Sequence, residues 1–220
     1  MIECQSAVKH LGVLIDNKMD FSNHIDNICK KTGKQVNAIY RLCNVLDEET
    51  KVVIYNSFIK ANFDYCPLIW AFCNKGDIVK LQKVQNRAIR FVYNDFECNS
   101  TELLSKYNVQ GIVKLNIYKI AVEMFKCYND ITPSYISQLF KRRNNVYNNR
   151  HVNDYVLRRP RTIKYGQKCF SYMGPKIWNS LPNAAKTTDS LNNFKSLLCH
   201  EHFNVNDLNE LLYGRERLDC

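Results

Sequence analysis

Apolar and polar positions follow a helical period over most of this chain. Phe21, Ile25, Ile28, Cys29, Val36, Ile39, Tyr40 and Cys43 recur at steps of three and four, with Lys30, Lys31, Lys34 and Arg41 elsewhere on the wheel. This predicts a long amphipathic helix opening at Phe21-Ser22. Asp47-Glu48-Glu49 puts acids where a helix dipole favours them, which predicts a second helix carrying Val52, Val53, Tyr55, Phe58 and Ile59. Pro67 interrupts the pattern, and Trp70 and Phe72 follow as apolar anchors. A third helix, starting at Gly76-Asp77, turns Ile78, Leu81, Val84, Ala88 and Val92 inward. A short helix near 101–106 and a strongly apolar one over 112–128 follow, and Pro133 ends the run.

Two regions depart from this period. Val8, Leu11, Val13, Leu14 and Ile15 form a short apolar run that stops at the turn signal Asp16-Asn17. The prediction is one strand without its sheet, leaving Leu11, Val13 and Ile15 in need of a partner and the start of the chain poorly ordered. From Lys141 to Arg161 the period disappears, and Asn144, Asn145, Asn148, Asn149 and Asn153 join the basic residues. A long exposed connection is expected there, mobile over about 143–160. Thr162–Tyr165 and Cys169–Tyr172 are then predicted to pair across Gly166-Gln167 as a small hairpin. A short helix at Pro175–Ser180 and a last one from about Ser190 complete the chain. The fold class is therefore mainly α, a helical bundle with one N-terminal orphan strand and a small C-terminal β-hairpin. Four segments are expected: 1–16, 17–140, 141–198 and a tail at 199–220.

Charge changes the picture more than composition does. The 220 residues carry a net charge of +10, and residues 141–176 hold ten Lys or Arg against one acid, Asp154. Such a band repels itself unless an anion lies near it, so a polyanion is the expected partner; a solvated loop rich in cations is the competing reading. On the third helix Lys80, Lys83, Arg87 and Arg90 fall at steps of three, four and three, which places them on one face suited to a phosphate backbone. Tyr147, Tyr155, Tyr165, Phe170 and Tyr172 interleave with the basic band as candidate stacking rings, while Trp70 and Trp178 sit in apolar company and are expected in the core. No apolar run reaches the length of a membrane span, and Glu3 at the start does not suit a secretory signal. The expected location is intracellular, cytoplasmic or nuclear, with the ten cysteines as thiols, of which Cys29, Cys43, Cys66, Cys73 and Cys127 sit among apolar neighbours as small hydrophobes.

Catalytic patterns are missing. Phosphoryl transfer on two metals needs carboxylates held close together, and the sequence has no Asp-Asp pair. Asp64 in Asn62-Phe63-Asp64-Tyr65 is a single acid at the end of a predicted helix. No Gly-rich phosphate loop or Gly-x-Ser-x-Gly elbow occurs, and His10, His24 and His151 are isolated. Cys199, His200, His202 and Cys220 fit no zinc-ribbon or knuckle spacing.

Four blocks carry a family resemblance. They are His10-Leu11-Gly12-Val13-Leu14-Ile15-Asp16, Cys66-Pro67-Leu68-Ile69-Trp70, Leu81-Gln82-Lys83-Val84-Gln85-Asn86-Arg87-Ala88-Ile89-Arg90 and Gly174-Pro175-Lys176-Ile177-Trp178-Asn179-Ser180-Leu181-Pro182. In order and spacing, over about residues 8–198, they resemble the C-terminal portion of a non-LTR (LINE or jockey-like) retrotransposon reverse transcriptase. His10 stands where relatives usually carry an aromatic, and the segment after Phe203 departs from the family's usual ending. The resemblance implies a palm-sheet remnant at 1–16, a thumb-like helical domain at 17–140 and a basic extension at 141–198. It further implies a truncated piece without the palm and fingers, with an aromatic-small-Asp-Asp hairpin in frame upstream of Met1. RNA or an RNA–DNA duplex would be the partner, held by Lys80, Lys83, Arg87, Arg90, Arg142, Arg143, Arg158, Arg159, Arg161 and Lys164. The parent polymerase would use Mg2+; this chain would need no cofactor and would not polymerise alone. A host-retained RNA-binding or protein-interaction module is the alternative, and a product without selected function is the third reading.

Overall fold

The computed structural model describes residues 6–42, 44–143 and 153–200. The chain is mainly α-helical and divides into two compact units, one within residues 1–115 and the other beginning at Asn116. Cys43, Tyr147, the middle of the Asn-rich stretch, the N-terminal start and the tail with His202 and Cys220 lie outside the described residues.

The first unit opens with β1 (Ala7–His10) and β2 (Val13–Asp16), an antiparallel pair in which Ala7 faces Asp16 and His10 faces Val13. This corrects the expected orphan strand: the apolar run is a hairpin folded on itself. Leu11 and Gly12 both take positive φ, 45° and 88°, as the two central residues of a tight primed turn must. Val13 is buried, whereas Leu11 and Val8 stay exposed. Asp16 ends β2 and gathers the N–H groups of Lys18, Asp20 and Phe21 at 2.9, 3.3 and 2.9 Å. Burial opposes its ionisation, but these donors outweigh burial and hold its carboxyl below the ordinary range.

The helices α1 (Ser22–Leu42), α2 (Glu48–Ile54), α3 (Ala61–Asp64), α4 (Pro67–Trp70), α5 (Lys75–Tyr93) and α6 (Ser100–Lys106) follow, and a π-helical turn at Tyr55–Lys60 joins α2 to α3. Helix α1 packs along α5 and buries Ile25, Ile28, Val36 and Ile39 against Ile78, Leu81, Ala88, Ile89 and Val92. The Cys-Pro-Leu-Ile-Trp block makes a corner. Cys66 takes a left-handed φ of 49°, Pro67 opens α4 where its missing N–H costs nothing, and Trp70 is fully buried with Nε1 donating to the Tyr65 carbonyl at 2.9 Å. The Tyr65 hydroxyl donates to the Leu11 carbonyl, and its ring lies 3.4 Å from where a Gly12 Cβ would stand. The corner therefore holds the tip of the hairpin.

His24 supplies a pH response in this unit. Its Nδ1 accepts from the Leu14 N–H at 3.4 Å, so the ring proton sits on Nε2, which is buried without a partner. Burial lowers its pKa below the ordinary value. The unfolded chain therefore binds the proton more readily, and His24 stabilises the fold above its unfolded pKa of about 6.5. That contribution is lost as pH falls through the folded value. Denaturant midpoints should drop between pH 7 and 5, and His24→Gln, which keeps an acceptor for Leu14, should flatten this slope. An unchanged slope in the variant would remove His24 as the cause.

The second unit is built on the part of α7 (Ile112–Tyr128) that follows Leu115, together with α8 (Ser134–Ser137), α9 (Phe170–Ser180), α10 (Asn183–Lys186) and α11 (Leu191–His200). The expected C-terminal hairpin is absent: Ile163–Gln167 is a π-helical turn and α9 already begins at Phe170. The reason is burial at helical spacing. Met173, Ile177 and Trp178 all enter the core, which outweighs the missing N–H of Pro175 inside the helix. Gly174 lets α9 approach α7 closely, because a Cβ there would come within 2.6 Å of the Met124 sulfur and force that side chain to move. The centre of the unit is aromatic: Trp178 stacks on Tyr128 at 5.1 Å, and Phe125 stacks on Phe194 at 4.3 Å.

Candidate nucleic-acid interface

The basic face of α5 is more occupied than its spacing suggests. Lys80 bridges Asp26 and Asp77, both at 2.9 Å, and these carboxylates push its pKa up. Asp77 is buried and also accepts from the Ser22 hydroxyl at 2.7 Å, so the cluster fastens the start of α5 to the start of α1. Arg87 is exposed, donates to the Asn37 side chain and lies over the Phe91 ring at 5.7 Å. Phe91 in turn packs between Tyr40 and Phe96. Arg90 is half-buried and donates to the Cys98 carbonyl and the Ser100 hydroxyl, each at 3.1 Å, which binds the loop after α5. Lys83 is exposed and forms no ion pair among the described residues. In this helix, three of the four cations have work inside the unit.

The same block holds a buried amide network that the sequence reading missed. Gln82 donates to Gln85 at 2.9 Å and to Asn86 at 2.8 Å. Gln85, fully buried, donates to the Tyr55 hydroxyl at 3.1 Å and to the Gln110 carbonyl at 2.9 Å. The free oxygen of Gln82 accepts from the Ile112 N–H at 2.9 Å, one of the unpaired donors at the start of α7. Burial pushes the Tyr55 hydroxyl up to about 12, so it stays protonated. Gln at positions 82 and 85, beside the apolar stripe of a helix, is the signal that could have revealed this network.

In the second unit the charges separate cleanly. Asp154, the lone acid of the basic band, is paired with Lys186 at 2.8 Å, and their side chains are 5% and 3% exposed. The acid is thereby removed from the surface by a cation from α10, outside the band. The segment around it is clamped by α9. Asn179 accepts from the Tyr155 N–H and donates to the Tyr155 carbonyl, both at 2.9 Å, and Trp178 Nε1 donates to the Asn153 carbonyl at 2.8 Å. The Trp-Asn pair thus grips Asn153 and Tyr155, on either side of Asp154, while Tyr155 also bridges to Arg142 through the backbone.

The predicted residues of the band fall into two groups. Arg142 pairs with Asp130 at 2.8 Å and lies 4.9 Å over the Tyr128 ring, so it braces the unit. Arg143, Arg158, Arg159, Arg161 and Lys164 are exposed, and none of them meets a carboxylate among the described residues. Tyr155, read from sequence as a stacking ring, is 2% exposed and belongs to the core, where burial raises its pKa. Phe170 meets Phe140 edge to face, and Tyr172 is half-buried. Trp70 and Trp178 are fully buried, as expected. Among the described rings of that set, Tyr165 is the one left open, at 58% exposure.

The donor set for divalent metal is poor. Asp64 pairs with Lys60, and no three His, Cys, Asp or Glu side chains converge as metal ligands among the described residues. These residues do not fit a metal pair. Cys199 is exposed on α11. No described helix is long and apolar enough to cross a membrane.

The chain is thus mainly helical, with an exposed cationic segment at 156–165 and a buried Asp154–Lys186 pair among the described residues. Over 90 residues, 40% of this chain, it is 30% identical to a protein described as a probable RNA-directed DNA polymerase from transposon X-element of Drosophila melanogaster. The chain is thereby related to a transposon reverse transcriptase. The aligned stretch spans 10% of the length of that curated relative. No protein-family model matches the chain, and no solved structure matches it.

Proposed function

We propose that this chain is the nucleic-acid-holding region of a non-LTR retrotransposon reverse transcriptase, the thumb and the basic extension beyond it. It binds RNA or an RNA–DNA duplex through phosphate contacts and carries out no polymerisation by itself. The single observation that supports this most is the exposed, acid-free cluster of Arg158, Arg159, Arg161 and Lys164 with Asp154 withdrawn into a buried pair. Cations arranged in this way release counterions from a phosphate backbone, which favours binding of either strand type without reading sequence. Lys83 and Arg87 add a smaller contribution from α5, and Lys80 and Arg90 chiefly hold the first unit together. In a whole polymerase such a region positions the duplex, and the rate gain comes from that positioning.

The test is direct. The purified chain should retard a labelled RNA–DNA duplex with a Kd of about 1–100 µM at physiological salt, the range for sequence-independent binding. With Mg2+ and nucleotides added it should extend no primer. Absence of binding even at low salt, or incorporation of nucleotide, would each overturn the reading.

A further inference from the structure

The basic segment is not a plain charged surface, because it closes into a small loop of fixed shape. A Cβ on Gly166 would come within 2.5 Å of the Pro160 Cβ, so the backbone at 166 lies directly against the proline ring. The Gly166 N–H donates to the Thr162 carbonyl at 3.2 Å, and the Cys169 thiol donates to the Gly166 carbonyl at 3.1 Å. The loop is thus closed at Pro160–Gly166 and tied to the start of α9. Upstream it is tied at Tyr155 by Asn179. Between the closing contacts, Arg161, Ile163, Lys164 and Tyr165 are all exposed, and Arg158 and Arg159 flank the entry. Lys164 Nζ stands 5.4 Å from the Tyr165 ring centroid.

We infer that this loop holds an unpaired RNA strand, with one base stacked on Tyr165 and the flanking phosphates on Arg158, Arg159, Arg161 and Lys164. The inference rests on the proposed nucleic-acid-holding role and specifies the strand state that the site selects. A base inside a duplex has both faces covered by its neighbours, so an exposed ring with cations around it can take only a base that has left the stack. The closing contacts fix the backbone next to the ring before binding, so less ordering of the chain is needed when the strand arrives. Pure phosphate binding would need no exposed aromatic and no closure.

Fluorescence anisotropy with a 12-nucleotide single-stranded RNA and with an RNA hairpin of equal charge, its stem closed by a non-nucleotide linker so that no base is unpaired, separates the possibilities. The wild-type chain should favour the single strand. Tyr165→Ala should weaken single-strand binding about tenfold, within the range for loss of one stacked base, and leave the hairpin affinity unchanged. Tyr165→Phe should restore it. A 2-aminopurine base in the strand should lose fluorescence on binding to wild type and to Tyr165→Phe, but not to Tyr165→Ala. Equal binding of strand and hairpin that ignores Tyr165 would overturn the inference while leaving the broader role intact. So would an equal loss for both probes in Tyr165→Ala. No binding of either probe would overturn both. Tyr165 is exposed, so its variants should retain the wild-type circular dichroism.

Discussion

Trp178→Ala should strongly destabilise the second unit and weaken nucleic-acid binding, although Trp178 is fully buried. The side chain stacks on Tyr128 and donates to the Asn153 carbonyl. Large-to-small substitution of such an aromatic costs about 3–5 kcal/mol, a large part of the stability of any small domain. It also leaves the Asn153 carbonyl without its donor and loosens the segment that Asn179 holds two residues further on, at Tyr155. In a unit of about 100 residues each kcal/mol moves Tm by about 4–8 °C, so a fall of 12 °C or more is expected by circular dichroism. Affinity for RNA should fall with it, because Arg158 and Arg159 follow three and four residues after the clamped Tyr155. Trp178→Phe should keep most of both. A Tm within a few degrees of wild type in Trp178→Ala would show that the aromatic centre does not hold this unit.

Reversing the exposed cluster is the second large effect. Arg158→Glu, Arg159→Glu, Arg161→Glu and Lys164→Glu together replace four cations with four anions on one short segment. None of the four side chains has an ion-pair partner among the described residues, so the fold should tolerate the change. Binding to RNA should become undetectable at physiological salt, since phosphate neutralisation supplies nearly all sequence-independent affinity. Lys83→Glu on α5 should weaken binding only a few-fold. If reversal at Lys83 did as much damage as the quadruple change, α5 would be the principal surface and the basic loop a bystander.

The helices were legible because their signal is long. Ile112–Tyr128 has the predicted bounds, since seventeen residues of apolar period closed by a proline leave little ambiguity. The two short β readings failed for the opposite reason. Over four or five residues, alternation and helical period look alike, and only the backbone decides. Leu11-Gly12 proved to be the centre of a turn, and Phe170 the start of a helix that runs through Pro175. In the candidate site, the concentration of charge at 141–176 was visible in sequence, but its sorting was not. Arg142 braces Asp130 and Tyr128, Arg90 braces a loop, and Asp154 vanishes into a pair with a residue 32 positions away. Pairings across such separations follow from tertiary packing, which no local pattern encodes. Gln82, Gln85 and Asn179 were missed because an amide on an apolar face reads as a surface residue until its buried partners are known.

The central claim is that an exposed, acid-free cation cluster on the second unit grips phosphate. Its most direct test is the salt dependence of RNA affinity, measured for the whole chain and for the quadruple charge-to-alanine variant of Arg158, Arg159, Arg161 and Lys164. Each phosphate contact on a single strand contributes about 0.7 to the slope of log affinity against log salt, so removing four should lower that slope by about three. A slope that stays the same in the variant would contradict the claim.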